Sequence, residues 1–232
     1  MASGSLPDSL SPDFARATVF ADGRVVQGHD PVQAATLGGQ RPTTTLAIRA
    51  FEDAARSYGK DLSFALTRLS TARSGALAGR ADLARVGVFG HSLGGAAALQ
   101  CAHDDPRVRA VFDIDGSPIW NPQNGALRKP VLVLSAASTN VDYRVVLDGA
   151  TPGRHLRVAG TVHTFSSDMR MMPFVPQGVS NPQNGATTPA RALRITARYL
   201  EAFFDRYLDG RREPLLDGPS ADYPEVTFER LP

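Results

Sequence analysis

The sequence predicts an α/β protein in which a mostly parallel sheet is flanked by helices, and two observations carry this prediction. First, the apolar run Val86–Phe89 is typical of a buried strand, and a glycine-rich turn and an alanine-rich helix follow it. Second, three more short strands are predicted at Arg109–Gly116, Pro130–Ser135 and His155–Ala159, each followed by loop residues. Alternation of such strands with helices favours parallel pairing.

Other elements are predicted on either side of this alternation. A short hairpin is expected over Ala17–Val26, because the Asp-Gly pair at its centre tolerates the positive φ of a tight turn. Apolar residues three or four positions apart predict a helix from Thr43 that pauses at Gly59 and is followed by a second helix. Pro189–Leu208 has the spacing of an amphipathic helix, and the tail from Asp209 is expected to wrap the surface in an extended form.

Length and composition narrow the class of protein. The 232 residues suffice for one sizeable core, and we expect a mobile N-terminal segment over residues 1–15 and a single domain over residues 16–232. The charged content of 21% is that of a soluble globular protein, and a formal charge of +2 with scattered arginines gives little support to nucleic-acid binding. Cys101 is the only cysteine, so neither an intrachain disulfide nor a cysteine metal cluster can form, and we expect no metal and no cofactor.

The sequence also bears on the location of the protein. No run approaches the ~20 apolar residues that a membrane-spanning helix needs. The N-terminus is rich in Ser, Pro and Asp and lacks the apolar core of a signal peptide. As written, the chain is therefore expected to be cytoplasmic, or secreted if a leader was removed.

Gly90-His-Ser92-Leu-Gly94 has the spacing of a nucleophile elbow, in which a serine lies on a strained turn between a strand and a helix. A match to this short pattern is common by chance, but here a strand precedes it and a helix follows. The helix N-terminus then lies beside the serine oxygen, and the backbone N–H of Leu93 is expected to stabilise negative charge on a bound carbonyl. The alternative is a tight turn with an incidental serine.

A nucleophilic serine needs a base, and the base needs an orienting acid. Of the five histidines, His163 is the candidate base because it lies in the loop just past the last strand of the predicted alternation. His91 lies inside the elbow, where its side chain is expected to face away from the base position, and His155 is expected to open a strand. A packed or solvent-facing loop histidine is the alternative for His163.

Three aspartates are candidates for the acid. Asp115 ends a predicted strand just before a glycine, which places a carboxylate at the edge of the sheet where Ser92 lies. Asp113 is two residues earlier and should lie on the same face, deeper in the sheet. Asp142 follows the next strand and lies on a loop, where a solvated surface aspartate is the alternative.

Three separated stretches, Gly90–Ala96, Asp105–Asp115 and Gly160–Asp168, resemble the plasma and intracellular type II platelet-activating factor acetylhydrolases and their bacterial relatives. The resemblance covers roughly residues 83–208. These relatives are calcium-independent serine esterases with the α/β-hydrolase fold. The resemblance therefore implies that fold here, with a reduced, mostly parallel sheet, and a small-molecule ester or lipid as substrate.

The resemblance also bears on the site residues. The acid of the family follows the strand after the elbow, which favours Asp115 over Asp142. The implied catalytic triad is Ser92, His163 and Asp115. Asp168 matches a further position of the family, where a structural hydrogen-bonding role is expected.

The sequence departs from the family before the elbow. Family members carry a His-Gly-x-Gly segment whose backbone N–H completes the oxyanion hole, and residues 1–82 contain no such segment. They also contain only the short hairpin where several strands are expected, so the N-terminal strands are expected to be truncated or replaced. The strand Val86–Phe89 would then have an open apolar edge, filled either by Ala17–Val26 or by another chain, in a homo-oligomer.

These observations predict a serine ester hydrolase that cleaves short-chain acyl esters through an acyl-enzyme, the acyl length resting on the resemblance alone. Trp120, Met169 and Phe174 flank the acid and base loops and are weak candidates for contact with the substrate, with ordinary packing as the alternative. The alternative function is a truncated or degenerate hydrolase that binds an apolar ligand, or pairs with another chain, without efficient turnover. The same triad would also serve a peptidase or lactonase.

Overall fold

The computed structural model describes residues 18–19, 25–26, 45–119, 125–167 and 187–229. The chain forms two compact units, Met1–Glu52 and Asp53–Pro232, and each is described by itself. The segment expected to be mobile, residues 1–15, lies outside the described residues. The single domain over residues 16–232 stays a prediction.

The first unit contains the predicted hairpin. Strand β1, Thr18–Val19, pairs with β2, Val25–Val26, in antiparallel register, with Thr18 opposite Val26. The two strands form a two-stranded sheet of their own. Whether this hairpin or another chain lies beside Val86–Phe89 stays a prediction.

Helix α1 is one uninterrupted helix, Thr45–Thr71, so the predicted pause at Gly59 is wrong. Gly59 lies where α1 passes close to the helix that follows the elbow. A Cβ at Gly59 would lie 3.2 Å from the carbonyl oxygen of Ala97 and 3.3 Å from the amide nitrogen of Cys101. The glycine therefore permits a close approach between helices, and the packing gained there offsets the ~1 kcal/mol that glycine costs inside a helix.

The second unit contains a five-stranded sheet in the order β3-β4-β5-β6-β7. Its elements after α1 are β3 Val86–His91, α2 Leu93–Asp104, β4 Val108–Ile114, β5 Val131–Ala136, α3 Arg144–Leu147, β6 Gly153–Val158, α4 Pro189–Tyr207, a 3₁₀ turn Pro214–Leu216 and β7 Val226–Glu229. Strands β3 to β6 are parallel and β7 is antiparallel to β6. The predicted mostly parallel sheet flanked by helices is confirmed.

Both faces of this sheet are covered, which explains the nearly continuous apolar sequence of β4 and β5. One core lies between the sheet and α4, and its largest buried side chains are Phe112, Leu132, Leu134, Leu156, Phe165, Ile195, Tyr199, Phe203 and Leu216. The other lies on the opposite face, where Leu99 of α2 and Leu62 of α1 pack near Val111 and Val133. The sheet is therefore packed on both faces, and its carboxyl edge lies at the margin of these two cores.

The chain after Asp209 differs from the predicted extended wrap, because it adds a strand to the sheet. In β7, Val226 pairs with Val158 and Glu229 with His155. Val226 and Leu216 are each almost fully buried in the core beside α4. Burial of these two side chains outweighs the weak strand signal of a proline-rich tail.

Strand β3 lies at one end of the sheet and, among the described strands, pairs only with β4. Phe89, near the end of β3, is 54% exposed. The open apolar edge expected from the sequence is therefore present in the described part of the chain. None of the described helices has the length and apolar character needed to cross a membrane.

Candidate active site

Ser92 lies between the end of β3 and the start of α2, with φ 57° and ψ −121°. This backbone conformation is rare for a residue with a side chain and costs about 1–3 kcal/mol. The surrounding hydrogen bonds maintain it: the Ser92 amide donates to the Ile114 carbonyl at 2.9 Å, and the Ser92 carbonyl accepts from the Gly95 amide at 3.0 Å. The predicted turn between strand and helix is confirmed, and it is strained.

The small residues of the turn are required by the close approach of strand and helix. A Cβ at Gly90 would lie 2.2 Å from the carbonyl oxygen of Gly94, and one at Gly95 would lie 1.9 Å from Oδ1 of Asp113. Gly94 is different, because a Cβ there would meet nothing within 4 Å. Packing therefore demands glycine at positions 90 and 95, whereas position 94 faces open space.

The structure brings the three residues of the predicted triad together. Nε2 of His163 lies 2.8 Å from Oγ of Ser92, and Nδ1 of His163 lies 2.7 Å from Oδ2 of Asp115. A carboxylate only accepts hydrogen bonds, so Nδ1 carries the proton and Nε2 is free to accept the serine proton. The arrangement is that of a serine with its base and orienting acid, and the catalytic role of each residue remains a prediction.

Asp115 is buried, and donors surround its carboxylate. Oδ1 accepts from the Ala136 amide at 2.9 Å, and Oδ2 accepts from Oγ1 of Thr139 at 2.9 Å as well as from His163. Asp115 itself has φ 52°, a left-handed conformation that turns the chain just after β4. Thr139 was not found by sequence reasoning, and the only available signal was a hydroxyl in the loop after the neighbouring strand.

The alternative acid, Asp142, is not brought to the site. Its carboxylate is exposed and accepts from the guanidinium of Arg144, with Oδ1 2.9 Å from Nε. This pairing lowers the pKa of Asp142 to about 2. Asp142 is thus a solvated surface aspartate, the alternative considered for it from the sequence.

Asp113 is fully buried beneath the elbow and does not reach His163 in the described contacts. Oδ1 accepts from the Gly116 amide at 2.9 Å, and Oδ2 is buried without a hydrogen-bond partner. Burial raises the pKa of Asp113 to about 8, with a further contribution from the charge of Asp115. Asp113 is therefore a neutral carboxylic acid at neutral pH, placed under Gly95 and Gly116.

This burial predicts a pH dependence of stability. The carboxyl group of Asp113 has its ordinary pKa of 3.8 in the unfolded chain and a pKa of about 8 in the folded one. The folded state therefore binds more protons between these values, and this group makes the free energy of unfolding fall as pH rises through the interval, by up to about 1.4 kcal/mol per pH unit. Asp113→Asn keeps the acceptor for Gly116 and has no proton to lose in this pH range. We expect urea unfolding to show a flatter pH dependence in this variant, and parallel curves would contradict the assignment.

His91 corrects an expectation from the sequence. Its side chain does not face away from the base: Nε2 of His91 lies 2.6 Å from the carbonyl oxygen of His163. The two rings lie against each other, with centroids 4.8 Å apart and planes at 36°. The residue inside the elbow is therefore part of the environment of the base.

The first turn of α2 supplies candidate oxyanion donors. The amides of Gly95 and Ala96 donate to the Ser92 carbonyl, whereas the amides of Leu93 and Gly94 have no acceptor inside the helix. The N–H of Leu93 directly follows Ser92, as the predicted role requires. Its function as an oxyanion donor remains a prediction.

A second serine–histidine pair lies inside the sheet. Oγ of Ser135 on β5 lies 2.8 Å from Nε2 of His155 on β6, and the Tyr143 ring packs against His155 with centroids 4.8 Å apart. Ser135 is fully buried, and burial lowers the pKa of His155 to about 4. An ester cannot reach Ser135 without opening the core, so this pair is structural.

Several other predictions fall on parts of the chain that are not described. The candidate substrate contacts Trp120, Met169 and Phe174, and Asp168, lie outside the described residues. Among the residues that are described, no three His, Cys, Asp or Glu side chains lie close enough together to hold a metal ion. Cys101 is buried with Sγ 3.6 Å from Oγ of Ser63, and burial raises its thiol pKa.

The chain is similar in sequence and in structure to known proteins. A family model described as PETase, PET hydrolase-like, matches residues 43–152. A probable 1-alkyl-2-acetylglycerophosphocholine esterase of Arthroderma benhamiae is 30% identical over 168 residues, which cover 62% of this chain and 43% of that relative. The structure of a ferulic acid esterase from Streptomyces cinnamoneus is 33% identical, with a TM-score of 0.70, over 92% of this chain and 62% of that one.

The chain thus spans less than two thirds of the length of either relative. The structural likeness nevertheless covers 92% of this chain. It confirms the predicted fold and the predicted resemblance to acetylhydrolases. The chain therefore has the α/β-hydrolase fold and is similar to esterases.

Proposed function

We propose that this chain hydrolyses carboxylic esters by nucleophilic attack from Ser92. The observation that carries the proposal is the continuous hydrogen-bonded series from Oγ of Ser92 through His163 to the buried Asp115. A serine hydroxyl is a weak nucleophile until a base accepts its proton, and the bare Nε2 of His163 is within hydrogen-bond distance to do so.

The residues then have separate roles in the reaction. As Oγ of Ser92 bonds to the ester carbonyl carbon, its proton passes to Nε2 of His163, and Asp115 stabilises the imidazolium that forms. The carbonyl oxygen becomes an oxyanion beside the N–H of Leu93 and the N-terminus of α2. Return of the proton from His163 to the leaving alcohol gives an acyl-enzyme, and water activated by the same histidine hydrolyses it.

We propose short-chain acyl esters of small molecules, including lipids, as the substrate class. The names of the two relatives support this proposal, since one is described as an acetylglycerophosphocholine esterase and the other as a ferulic acid esterase. Both descriptions are of esters of a carboxylic acid, which is the bond that the triad geometry suits.

The experiment is hydrolysis of p-nitrophenyl acetate and p-nitrophenyl butyrate by the purified chain. We expect turnover above the uncatalysed rate, although a site with one oxyanion donor works about 100- to 1000-fold more slowly than one with two. A folded protein that shows neither turnover nor an initial burst of p-nitrophenol would contradict the proposal. Circular dichroism recorded on the same sample establishes that it is folded.

One observation favours the alternative of a hydrolase-like protein that binds an apolar ligand without turnover. Beside the elbow lies an open groove of about 330 Å³ lined by Tyr58, Asp61, Leu62, Phe89, Gly94 and Ala97. Tyr58 and Phe89 are 41% and 54% exposed, respectively. Saturable binding of p-nitrophenyl butyrate by the wild-type chain without release of p-nitrophenol would support this alternative.

We also propose that two copies of the chain associate through the open edge of β3. Among the described strands only β4 pairs with β3, and a strand edge without a neighbour favours pairing with another strand. Phe89 adds exposed apolar surface there. Light scattering coupled to gel filtration is expected to give the mass of a dimer. A monomer at micromolar concentration would contradict the proposal.

A further inference from the structure

His163 lies on a half-exposed loop and needs to be held in place. Its side chain is 36% exposed, and the local backbone bonds are those of a short turn, such as Phe165 N–H to the Val162 carbonyl at 2.8 Å. Asp115 fixes one ring nitrogen of His163 but does not contact its main chain in the described structure. A residue other than Asp115 must therefore hold the main chain of His163.

His91 makes that contact. Its Nε2 lies 2.6 Å from the main-chain carbonyl oxygen of His163, and its ring packs against the His163 ring at 4.8 Å. A carbonyl oxygen only accepts hydrogen bonds, so Nε2 of His91 carries the hydrogen and donates it. The last residue of β3, next to the nucleophile, thereby bonds directly to the loop that carries the base.

The surroundings of His91 keep its ring neutral at neutral pH. Burial is the largest influence and lowers the pKa of His91, and the nearby His163 ring lowers it further. The bond to the carbonyl of His163 and the carboxylate of Asp115 act in the opposite direction but are outweighed. A neutral ring adds no positive charge beside a base that itself becomes positive during the reaction.

We propose that His91 is a positioning residue: its Nε2–H holds the His163 carbonyl, and its ring supports the His163 ring within reach of Ser92. This inference rests on the proposed esterase function for its kinetic consequence. His91 contacts the base and does not line the groove beside the elbow, so the consequence is expected in the chemical step and not in substrate binding. A displacement of about 1 Å in a catalytic group can cost about 100-fold in rate.

Two variants test the hydrogen-bond donor of His91 and its aromatic ring separately. His91→Phe keeps an aromatic ring against His163 and removes the donor. His91→Gln removes the ring and places an amide N–H close to the position of Nε2. We expect kcat for p-nitrophenyl butyrate to fall about 10- to 100-fold in His91→Phe with little change in KM, and to recover at least partly in His91→Gln.

A second measurement does not depend on esterase activity. Histidine-ring ¹H–¹⁵N spectra report the Nδ1 proton of His163 that is bound to Asp115. We expect this signal in the wild type and in His91→Gln, and we expect it to broaden or disappear in His91→Phe. An unchanged signal in His91→Phe would overturn the inference, whether or not the chain is an esterase.

The kinetic outcomes separate the two proposals. If the wild type hydrolyses the ester and His91→Phe retains its kcat within about twofold, the positioning role is wrong and the esterase function stands. If both variants lose the same thermal stability and the same activity, His91 has only a structural role and the inference is overturned. A wild type without turnover contradicts the esterase function. The histidine-ring spectra then test the positioning role of His91 by themselves.

Discussion

Ser92→Ala is expected to lower kcat for p-nitrophenyl acetate by at least about 10⁴-fold and to abolish labelling by a fluorophosphonate. The physical reason is that no other described hydroxyl lies within hydrogen-bond distance of the ring nitrogens of His163. Alanine also removes the hydroxyl without changing the backbone bonds that hold the strained turn, so the fold is expected to persist. Initial rates with p-nitrophenyl acetate check the prediction.

The second serine–histidine pair provides a matched control. Ser135→Ala removes a hydroxyl that is also hydrogen-bonded to an imidazole, but this one is buried in the sheet. We expect a loss of about 1 kcal/mol in the free energy of unfolding and activity within about threefold of the wild type. Loss of activity in Ser135→Ala together with normal activity in Ser92→Ala would reverse the assignment.

Asp115→Asn is expected to lower kcat about 10⁴-fold. An asparagine amide can donate to Nδ1 of His163, which stabilises the tautomer with the proton on Nε2. That tautomer cannot accept the proton of Ser92. The acceptor contact with the Ala136 amide is retained by the asparagine oxygen, so the loss is expected in kcat and not in folding.

The control is Asp142→Asn, the acid considered as the alternative from the sequence. Its side chain is exposed and bonded to Arg144, so we expect activity within about twofold of the wild type. Steady-state kinetics of both variants with p-nitrophenyl butyrate check the pair. Equal losses in the two variants, or a larger loss in Asp142→Asn, would show that the acid is misassigned.

The parts of the site that could be predicted are those that local sequence and strand order determine. A buried strand, a glycine-flanked serine and a small-residue helix place Ser92 at the end of β3 without any knowledge of the rest of the chain. Parallel strands present their carboxyl ends at one edge, so residues just after β4 and β6 were expected to meet Ser92 there. Asp115 and His163 do so.

The parts that could not be predicted depend on contacts between distant segments. The direction of the His91 side chain is set by the His163 loop, 72 positions later in the chain. Thr139 contacts Asp115 only because the loop after β5 folds back over the end of β4. Neither contact can be predicted from a periodic pattern of apolar and polar residues in the sequence.

The helix and tail predictions failed for a related reason. Gly59 is an unfavourable helix residue in isolation, and only the close approach of α2 explains its place inside α1. The tail after Asp209 has several prolines and little alternation, yet Val226 completes the core beside β6. In both cases tertiary packing outweighed the local preference.

The most direct test of the central claim is to identify the residue that a fluorophosphonate modifies in the wild-type chain, by peptide mapping with mass spectrometry. If the hydroxyl activated by the imidazole at position 163 is the nucleophile, the adduct will lie on Ser92 and on no other serine. An adduct on Ser135, or ester hydrolysis by a chain that takes up no label, would contradict the account.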